Sequence, residues 1–220
     1  MNSLKIFVLL VVVESFEFGK FLKTSVFFNP LLSGTSKVGG SQMRGNKAAE
    51  IFPNSNIIWG PLDDTVMGGR SDSSWVTLDD GSGMWSGTVT TAGGGGFAGT
   101  RCKVITPPLD LSAYTGIKIK VRNDKGLRFK FVIRDNSDWN GPAWTWMFNT
   151  LPNNSITEVK LPFDRAVPTV FARTLSGQTL NKKTITTLQF VFSKFEFDDA
   201  LNPTFVEGPF SLKIESISVY

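Results

Sequence analysis

Apolar and charged residues alternate at every second position over long stretches of this chain, a pattern that belongs to β-strands. Between residues 115 and 134, Ile, Val and Phe alternate with Lys and Arg, as expected when one face of a strand packs in a core and the other faces solvent. Similar short segments recur from residue 57 to residue 220, separated by turns rich in Gly, Pro, Asn and Asp. No helical stripe of useful length interrupts them, so we predict an all-β fold, a β-sandwich.

The clearest alternation predicts a hairpin in which residues 115–121 pair with residues 127–134 across the turn 123–126. Its apolar residues would face the core, and its basic residues would share the outer face. This candidate basic docking face consists of Lys118, Lys120, Arg122, Arg128, Lys130 and Arg134. Because like charges opposite one another destabilise a sheet, we expect acidic residues on neighbouring strands to balance them. A solvated, balanced face is our first interpretation, and a docking surface for a partner is the second.

Residues 63–71 combine two acids, two adjacent glycines and a basic residue. Adjacent glycines permit backbone angles that other residues resist, so we predict a tight turn with a positive φ at Gly68 or Gly69. In so short a loop, Asp64 or Arg70 is expected to be bonded within the domain rather than to reach outward. We favour this structural latch over a loop that projects Arg70 to a partner.

Two further features belong to the same prediction. Met67 would pack as a flexible apolar plug beside the turn. A second glycine cluster, residues 93–96, follows later in the chain. The residues assigned to the latch or partner-binding loop are Asp64, Thr65, Met67, Gly68, Gly69, Arg70, Gly95, Gly96, Phe97 and Arg101.

These stretches resemble the complex I intermediate-associated protein 30 domain. The matching residues are Trp59, Asp64–Ser71, Gly95–Phe97 and Arg101, followed by Leu109–Tyr114, Pro162, Phe163 and Gly208–Leu212. The resemblance implies a jelly-roll β-sandwich that is similar to galactose-binding domains. It also implies a non-catalytic role in assembling membrane protein complexes. The segment Phe171-Ala172-Arg173 departs from the family pattern, which usually has Gly there.

The inventory of reactive residues argues against catalysis. The chain has no His, the side chain most used for acid–base chemistry and for zinc binding. Its single Cys, Cys102, excludes an intramolecular disulfide and a cysteine metal cluster, and we expect a half-buried strand thiol there. No Gly-x-Ser-x-Gly elbow and no phosphate-binding loop occurs. We therefore predict a protein that is not an enzyme and that uses no cofactor and no metal.

An aromatic row, Trp144, Trp146 and Phe148, lies on one face of a predicted strand, and Trp139 lies in the loop before it. We interpret the row as core rather than as a sugar-binding cleft. A carbohydrate-binding module is nevertheless the main alternative function, because jelly rolls host many such modules and the chain has six Trp. RNA binding through the basic hairpin is the third, disfavoured because no aromatic residues are interleaved with its cations.

Residues 1–50 differ in composition from the rest and predict a targeting leader ahead of a domain at residues 51–220. An apolar run at residues 6–13 is too short to span a bilayer and suits the core of a signal peptide. Between Glu17 and Glu50 there are five basic residues and no acidic one, which is typical of transit peptides. Such a bipartite leader favours a plastid, with a mitochondrion second and plain secretion as a further alternative.

Together these observations predict an assembly factor or chaperone-like binding module for an organelle membrane complex, either of the respiratory complex I type or photosynthetic. Its partners would be protein subunits of that complex or other assembly factors. Peripheral association with a membrane and carbohydrate binding stay open, whereas nucleic-acid binding is disfavoured.

Overall fold

Thirteen β-strands and three short 3-10 turns make up the part of the chain that the computed structural model describes, residues 49–53 and 57–220. The strands are β1 (Glu50–Phe52), β2 (Trp59–Pro61), β3 (Asp72–Thr77), β4 (Gly83–Val89), β5 (Phe97–Cys102), β6 (Gly116–Arg122), β7 (Arg128–Arg134), β8 (Ala143–Asn149), β9 (Thr157–Pro162), β10 (Val167–Val170), β11 (Arg173–Thr174), β12 (Thr187–Ser193) and β13 (Gly208–Val219). The 3-10 turns are Asp64–Met67, Ala92–Gly94 and Phe163–Arg165. The predicted leader lies outside the described residues, apart from its last two positions. No helix in the described ranges has the length and apolar character required to cross a membrane.

The strands form two antiparallel sheets. In the six-stranded sheet the order is β3-β4-β13-β6-β9, and β1 pairs with the end of β13. In the seven-stranded sheet the order is β11-β10-β8-β7-β12-β5-β2. Alternation gives each sheet one apolar face, and buried residues from both faces form a shared core. The predicted all-β sandwich is confirmed.

Aromatic side chains fill the space between the sheets. The ring of Trp85, on the six-stranded sheet, lies 6.0 Å from that of Phe129 on the seven-stranded sheet, centroid to centroid. Aromatic pairs in this geometry contribute roughly 0.5–1.5 kcal/mol beyond the area they bury. Trp144, Trp146 and Phe148 are buried as well. This confirms that the aromatic row is core.

The predicted hairpin is wrong, because its two strands belong to different sheets. β6 pairs with β13 and β9, whereas β7 pairs with β8 and β12. Both strands do turn their apolar residues inward, so the alternation alone could not distinguish neighbours in one sheet from partners across the core. Buried Asn123 shapes the crossing, since its side-chain oxygen accepts the N–H groups of Lys125 at 3.0 Å and Leu127 at 3.1 Å.

The six basic residues therefore do not form one docking face. Lys118, Lys120 and Arg122 lie on the six-stranded sheet, and Arg128, Lys130 and Arg134 lie on the seven-stranded sheet. Glu158 lies 3.7 Å from Lys118 and 3.6 Å from Lys120. Glu215 pairs with Arg122. Acids on neighbouring strands thus balance the charge on β6, as expected, and RNA binding through a single basic hairpin loses its structural basis.

The turn between β10 and β11 contains two non-glycine residues with left-handed backbone, Phe171 at φ 46° and Ala172 at φ 60°. This is the segment in which the chain departs from the Gly-containing pattern of the family it resembles. The left-handed conformation costs an L-residue roughly 1–2 kcal/mol. Residues from another loop hold the turn in place: the Ala172 carbonyl accepts the Asp198 N–H at 3.0 Å, and the Asp198 carboxylate accepts the Thr174 N–H at 2.9 Å.

Candidate functional site

Two adjacent carboxylates lie in the connection between β2 and β3, where the chain passes from the seven-stranded to the six-stranded sheet. Asp63 is buried. Its carboxylate accepts hydrogen bonds from the Ser73 N–H at 2.8 Å, the Ser73 hydroxyl at 2.7 Å and the Gly99 N–H at 3.1 Å. Because Ser73 lies on β3 and Gly99 lies on β5, this one carboxylate bonds both sheets.

Asp64 is also buried and has its own set of donors. Its carboxylate accepts the Ser71 N–H at 2.9 Å, the Ser71 hydroxyl at 2.8 Å, the Gly96 N–H at 2.7 Å and the Phe97 N–H at 3.2 Å. Burial alone would raise the pKa of Asp64, but the hydrogen bonds from Gly96, Ser71 and Phe97 hold this pKa below its usual 3.8. We call Asp63, Asp64 and these donor groups the aspartate latch.

Glycines leave the room that the aspartate latch requires. Gly68 has φ 89°, which confirms the predicted positive φ in this turn. A Cβ on Gly69 would lie 2.3 Å from the carboxyl carbon of Asp64, and one on Gly95 would lie 2.2 Å from an Asp64 carboxylate oxygen. No side chain fits at these distances. Gly69 and Gly95 are therefore required by the position of the Asp64 side chain and not by their backbone angles.

Asp64 is bonded within the domain, as the sequence predicted, but the expectation for Met67 is wrong. The Met67 side chain is 72% exposed, because the 3-10 turn Asp64–Met67 turns its acidic first residue inward and leaves the others outside. Thr65 and Arg70 are exposed too.

Sequence reasoning missed Asp63, which plays the same structural part as its neighbour. Two serines spaced two residues apart, Ser71 and Ser73, are the signal that could have revealed it. Residues at that spacing in an extended segment face the same way, so each can donate to one of two consecutive carboxylates.

Arg101, assigned from sequence to the same loop, lies elsewhere. It belongs to β5 and points to the outer face of the seven-stranded sheet, where it meets Arg134 of β7. The Arg101 Nε–H donates to the side-chain oxygen of Gln189 at 2.9 Å, and an Arg134 Nη1–H donates to the same oxygen at 3.3 Å. We call Arg101 and Arg134 the arginine pair. The structure thus joins two residues that the sequence placed in separate groups.

The surroundings of the arginine pair are open on one side. Gly60, Arg101 and Gln189 are in register on β2, β5 and β12, with β2 at the edge of the sheet. A Cβ on Gly60 would meet nothing within 4 Å, so open space lies next to Arg101 at this edge. Trp139, in the loop between β7 and β8, places its ring 4.4 Å from the Arg101 guanidinium carbon and is 60% exposed.

Electrostatically, the arginine pair is short of acceptors. Among the described residues, neither guanidinium forms a salt bridge with a carboxylate, and the buried Arg134 Nε has no hydrogen-bond partner. Burial and the neighbouring Arg134 charge lower the pKa of Arg101 to about 10. Burial also lowers the pKa of Arg134, and the charge of Asp138 offsets this in part. Both groups remain cations at neutral pH, so the arginine pair can accept an anion.

Lys130, on the same outer face, is also buried without a carboxylate partner among the described residues. Its Nζ donates to the Glu196 carbonyl at 2.7 Å, and burial lowers the pKa of Lys130 to about 8. The carboxylate of the same residue, Glu196, forms its salt bridge with Arg128 instead. Within the described part of the chain, Lys130 therefore adds a further cation without a salt bridge to the same face of the sheet as the arginine pair.

Reactive chemistry finds little support in the described part of the chain. Cys102 is buried, its sulfur accepts the Leu188 N–H at 3.1 Å, and burial raises the pKa of the thiol to about 11. Such a thiol stays protonated and is a poor nucleophile. Within the described residues, no group of three or more His, Cys, Asp or Glu side chains is arranged to hold a metal ion.

Comparison with known proteins links this chain to one family and one fold. The family model described as Complex I intermediate-associated protein 30 (CIA30) matches residues 51–214. No curated protein sequence matches the chain.

Among solved structures, two structures of a family 11 carbohydrate-binding module from Clostridium thermocellum are similar to this chain. One, in complex with a beta-1,3-1,4-mixed-linked tetrasaccharide, has a TM-score of 0.51 and 18% identity, covering 79% of this chain and 94% of that chain. The other, from the cellulosomal cellulase Lic26A-Cel5E, has a TM-score of 0.52 and 20% identity, covering 81% of this chain and 95% of that chain. At these identities the likeness concerns the fold alone, and it confirms the predicted jelly-roll sandwich.

Proposed function

Because the chain belongs to the complex I intermediate-associated protein 30 family, we propose that it is a non-catalytic assembly factor. In this role it would hold protein subunits of a membrane complex, or other assembly factors, during biogenesis of that complex. The observation that carries the proposal is the family match over residues 51–214, which includes every strand apart from the first residue of β1 and the last part of β13. The composition of residues 1–50 supports a plastid as the location, with a mitochondrion second, and the client would accordingly be a photosynthetic or a complex I-type assembly.

The site chemistry supports binding rather than catalysis. The aspartate latch has its carboxylates enclosed by donors, so it stabilises the fold and presents no free reactive group. The arginine pair, in contrast, is partly open and has no carboxylate partner within the described residues, which suits recognition of a partner.

Affinity purification tests the proposal. The tagged full chain would be expressed in its native cell and purified together with its partners, which would be identified by mass spectrometry. We expect subunits of one membrane complex to be enriched, and the tagged protein to migrate with an intermediate of that complex on a native gel. A matched control would carry Asp63→Ala and Asp64→Ala, which should unfold the sandwich and lose the partners. Enrichment of the same proteins by both chains, or of no membrane-complex subunit by the native chain, would contradict the proposal.

Carbohydrate binding is the second candidate, and it depends on Trp139. An aromatic ring that is 60% exposed, and that is flanked in the sequence by Asp138 and Asn140, is the kind of group on which a sugar can stack. Calorimetric titration with mixed-linked glucan oligosaccharides would test it, with Trp139→Ala as the variant expected to lose binding. Equal heats for both proteins, or none for either, would remove this candidate.

A further inference from the structure

The two arginines of the arginine pair share one neutral acceptor and lack a negative charge that would balance them. A guanidinium has five N–H donors, and the only protein acceptor bonded to either member of the arginine pair among the described residues is the Gln189 side-chain oxygen. Burying two like charges side by side is unfavourable unless an anion compensates. The Arg134 Nε, which is buried without a partner in the described structure, lies at this point of the sheet.

Nearby acids supply the missing charge only in part. The Asp135 carboxylate accepts the Trp144 indole N–H at 3.2 Å and the Asn181 N–H at 2.8 Å, so it is committed elsewhere. The Asp138 carboxylate accepts the Asn140 N–H at 3.1 Å. Its charge partly offsets the effect of burial on the pKa of Arg134, but it forms no salt bridge with Arg134 within the described structure.

Three other arginines of the described residues do have a carboxylate partner. Arg122 pairs with Glu215, Arg128 pairs with Glu196, and Arg173 lies 2.7 Å from Asp199. Arg173 is more than half exposed and still has a carboxylate partner. The arginine pair is more buried than Arg173, and therefore needs an anion more strongly, yet finds none among the described residues.

Access to the arginine pair is from the sheet edge formed by β2. Gly60 presents no side chain between that edge and Arg101, and the space next to its Cα is open. The Trp139 ring, 4.4 Å from the Arg101 guanidinium carbon, forms an apolar wall of the site. A segment of polypeptide that crosses the edge at Gly60 can therefore bring a carboxylate to the cations while a neighbouring apolar group contacts the indole.

We propose that Arg101 and Arg134 form a receptor for an acidic side chain of a client protein, with Trp139 as the apolar wall of the site. The planar carboxylate matches the planar guanidinium fork, and a bond to a charged donor is roughly twice as strong as one between neutral groups. This inference rests on the proposed function and deepens it, because it names the chemistry by which a client is recognised.

Titration of the ¹⁵N-labelled full chain tests the inference directly. The probes are acetylated, amidated tri-glutamate, the matching tri-glutamine peptide and inorganic phosphate. Tri-glutamate should shift the Arg134 Nε–H resonance and the backbone amides near Arg101 and Gln189, whereas tri-glutamine should not. Arg101→Gln should weaken tri-glutamate binding about tenfold or more. Arg165→Gln, which removes an exposed arginine outside the site, should leave it unchanged.

Three results would overturn the inference. Equal binding of the glutamate and glutamine peptides would show that charge is not recognised. Phosphate binding as tightly as tri-glutamate would indicate a small-anion site. A folded Arg101→Gln, Arg134→Gln double variant that captures the same clients as the native chain would show that the arginine pair is not the receptor. If the native chain captures no client at all, the proposed function fails, and the peptide titration still decides whether the arginine pair binds a carboxylate.

Discussion

The carboxyl carbon of Asp64 lies 2.3 Å from the point at which a side chain on Gly69 would have to begin. The two residues therefore determine each other: the buried carboxylate leaves space for hydrogen only, and the glycine lets the Ser71 donors close on the carboxylate. This relationship explains why a glycine stands at position 69, five residues after the buried acid.

Replacing Gly69 by Val should lower the free energy of unfolding by about 1–3 kcal/mol, because the added atoms overlap a carboxylate that cannot move without losing its donors. Urea denaturation of the full chain measures this. Gly60→Ala is the matched control, since a Cβ there meets nothing within 4 Å, and its stability should stay within about 0.5 kcal/mol of the native value. A Gly69→Val protein as stable as the control would contradict the account of the latch.

Asp64 should make the protein sensitive to acid. Its pKa in the folded state is below the usual 3.8, so the folded state favours the ionised form more than the unfolded state does. The stabilisation is therefore fully present above the unfolded pKa and is lost as the pH falls through the folded pKa. Asp64→Asn should be less stable near neutral pH by about 1–3 kcal/mol and should show a smaller further loss between pH 5 and pH 2. Parallel acid-dependence curves for the two proteins would argue against this role.

Arg70 should contribute little to the fold, although it lies between Gly69 and Ser71 of the aspartate latch region. Its side chain is exposed and forms no salt bridge within the described residues. The Arg70→Ala variant should have a free energy of unfolding within about 0.5 kcal/mol of the native value. It should also still capture clients, because the loop acts as a structural latch. A variant that is stable but has lost its clients would favour the alternative, in which the loop presents Arg70 to a partner.

Ala172→Gly should stabilise the protein. Ala172 has φ 60°, a left-handed conformation that is unfavourable for alanine but not for glycine. Removing this strain should raise the free energy of unfolding by about 1 kcal/mol, even though an unfolded glycine has more entropy than an unfolded alanine. Ala166→Gly provides the opposite control, because Ala166 has an ordinary φ of −67° and only the entropic loss applies. Thermal melts should move in opposite directions for the two variants. A shift of the same sign in both would show that the turn is not strained.

The sandwich could be predicted from the sequence because period-two alternation specifies which face of each strand is buried. It does not specify which strand lies alongside. Residues on β6 and β7 alternate as they would in a hairpin, yet buried Asn123 and its donors direct the chain across the core instead. Ile119 and Phe131 satisfy the same pattern in either arrangement, so the choice depended on contacts that the pattern does not contain.

The arginine pair could not be predicted from the sequence for a related reason. Arg101 and Arg134 come together only because β12 lies between β5 and β7 in the sheet and supplies Gln189 to both. That order is set by pairings between distant parts of the chain. Asp64, in contrast, meets Ser71 within a few residues, so local loop chemistry was enough to predict that it is bonded internally.

The aspartate latch also changes what a glycine-rich segment means here. Residues 93–99, five of them glycines, have the composition of a flexible linker, but the Gly96 amide donates to the buried Asp64 carboxylate and the Gly99 amide to that of Asp63. Asp63 also accepts the Ser73 N–H and so bonds β3 to β5. Breaking these amide hydrogen bonds requires the two sheets to separate at this end, and this separation would expose the core to solvent. The amide protons of Gly96 and Gly99 should therefore exchange with solvent only through cooperative unfolding of the whole sandwich, making this segment a reporter of global rather than local opening.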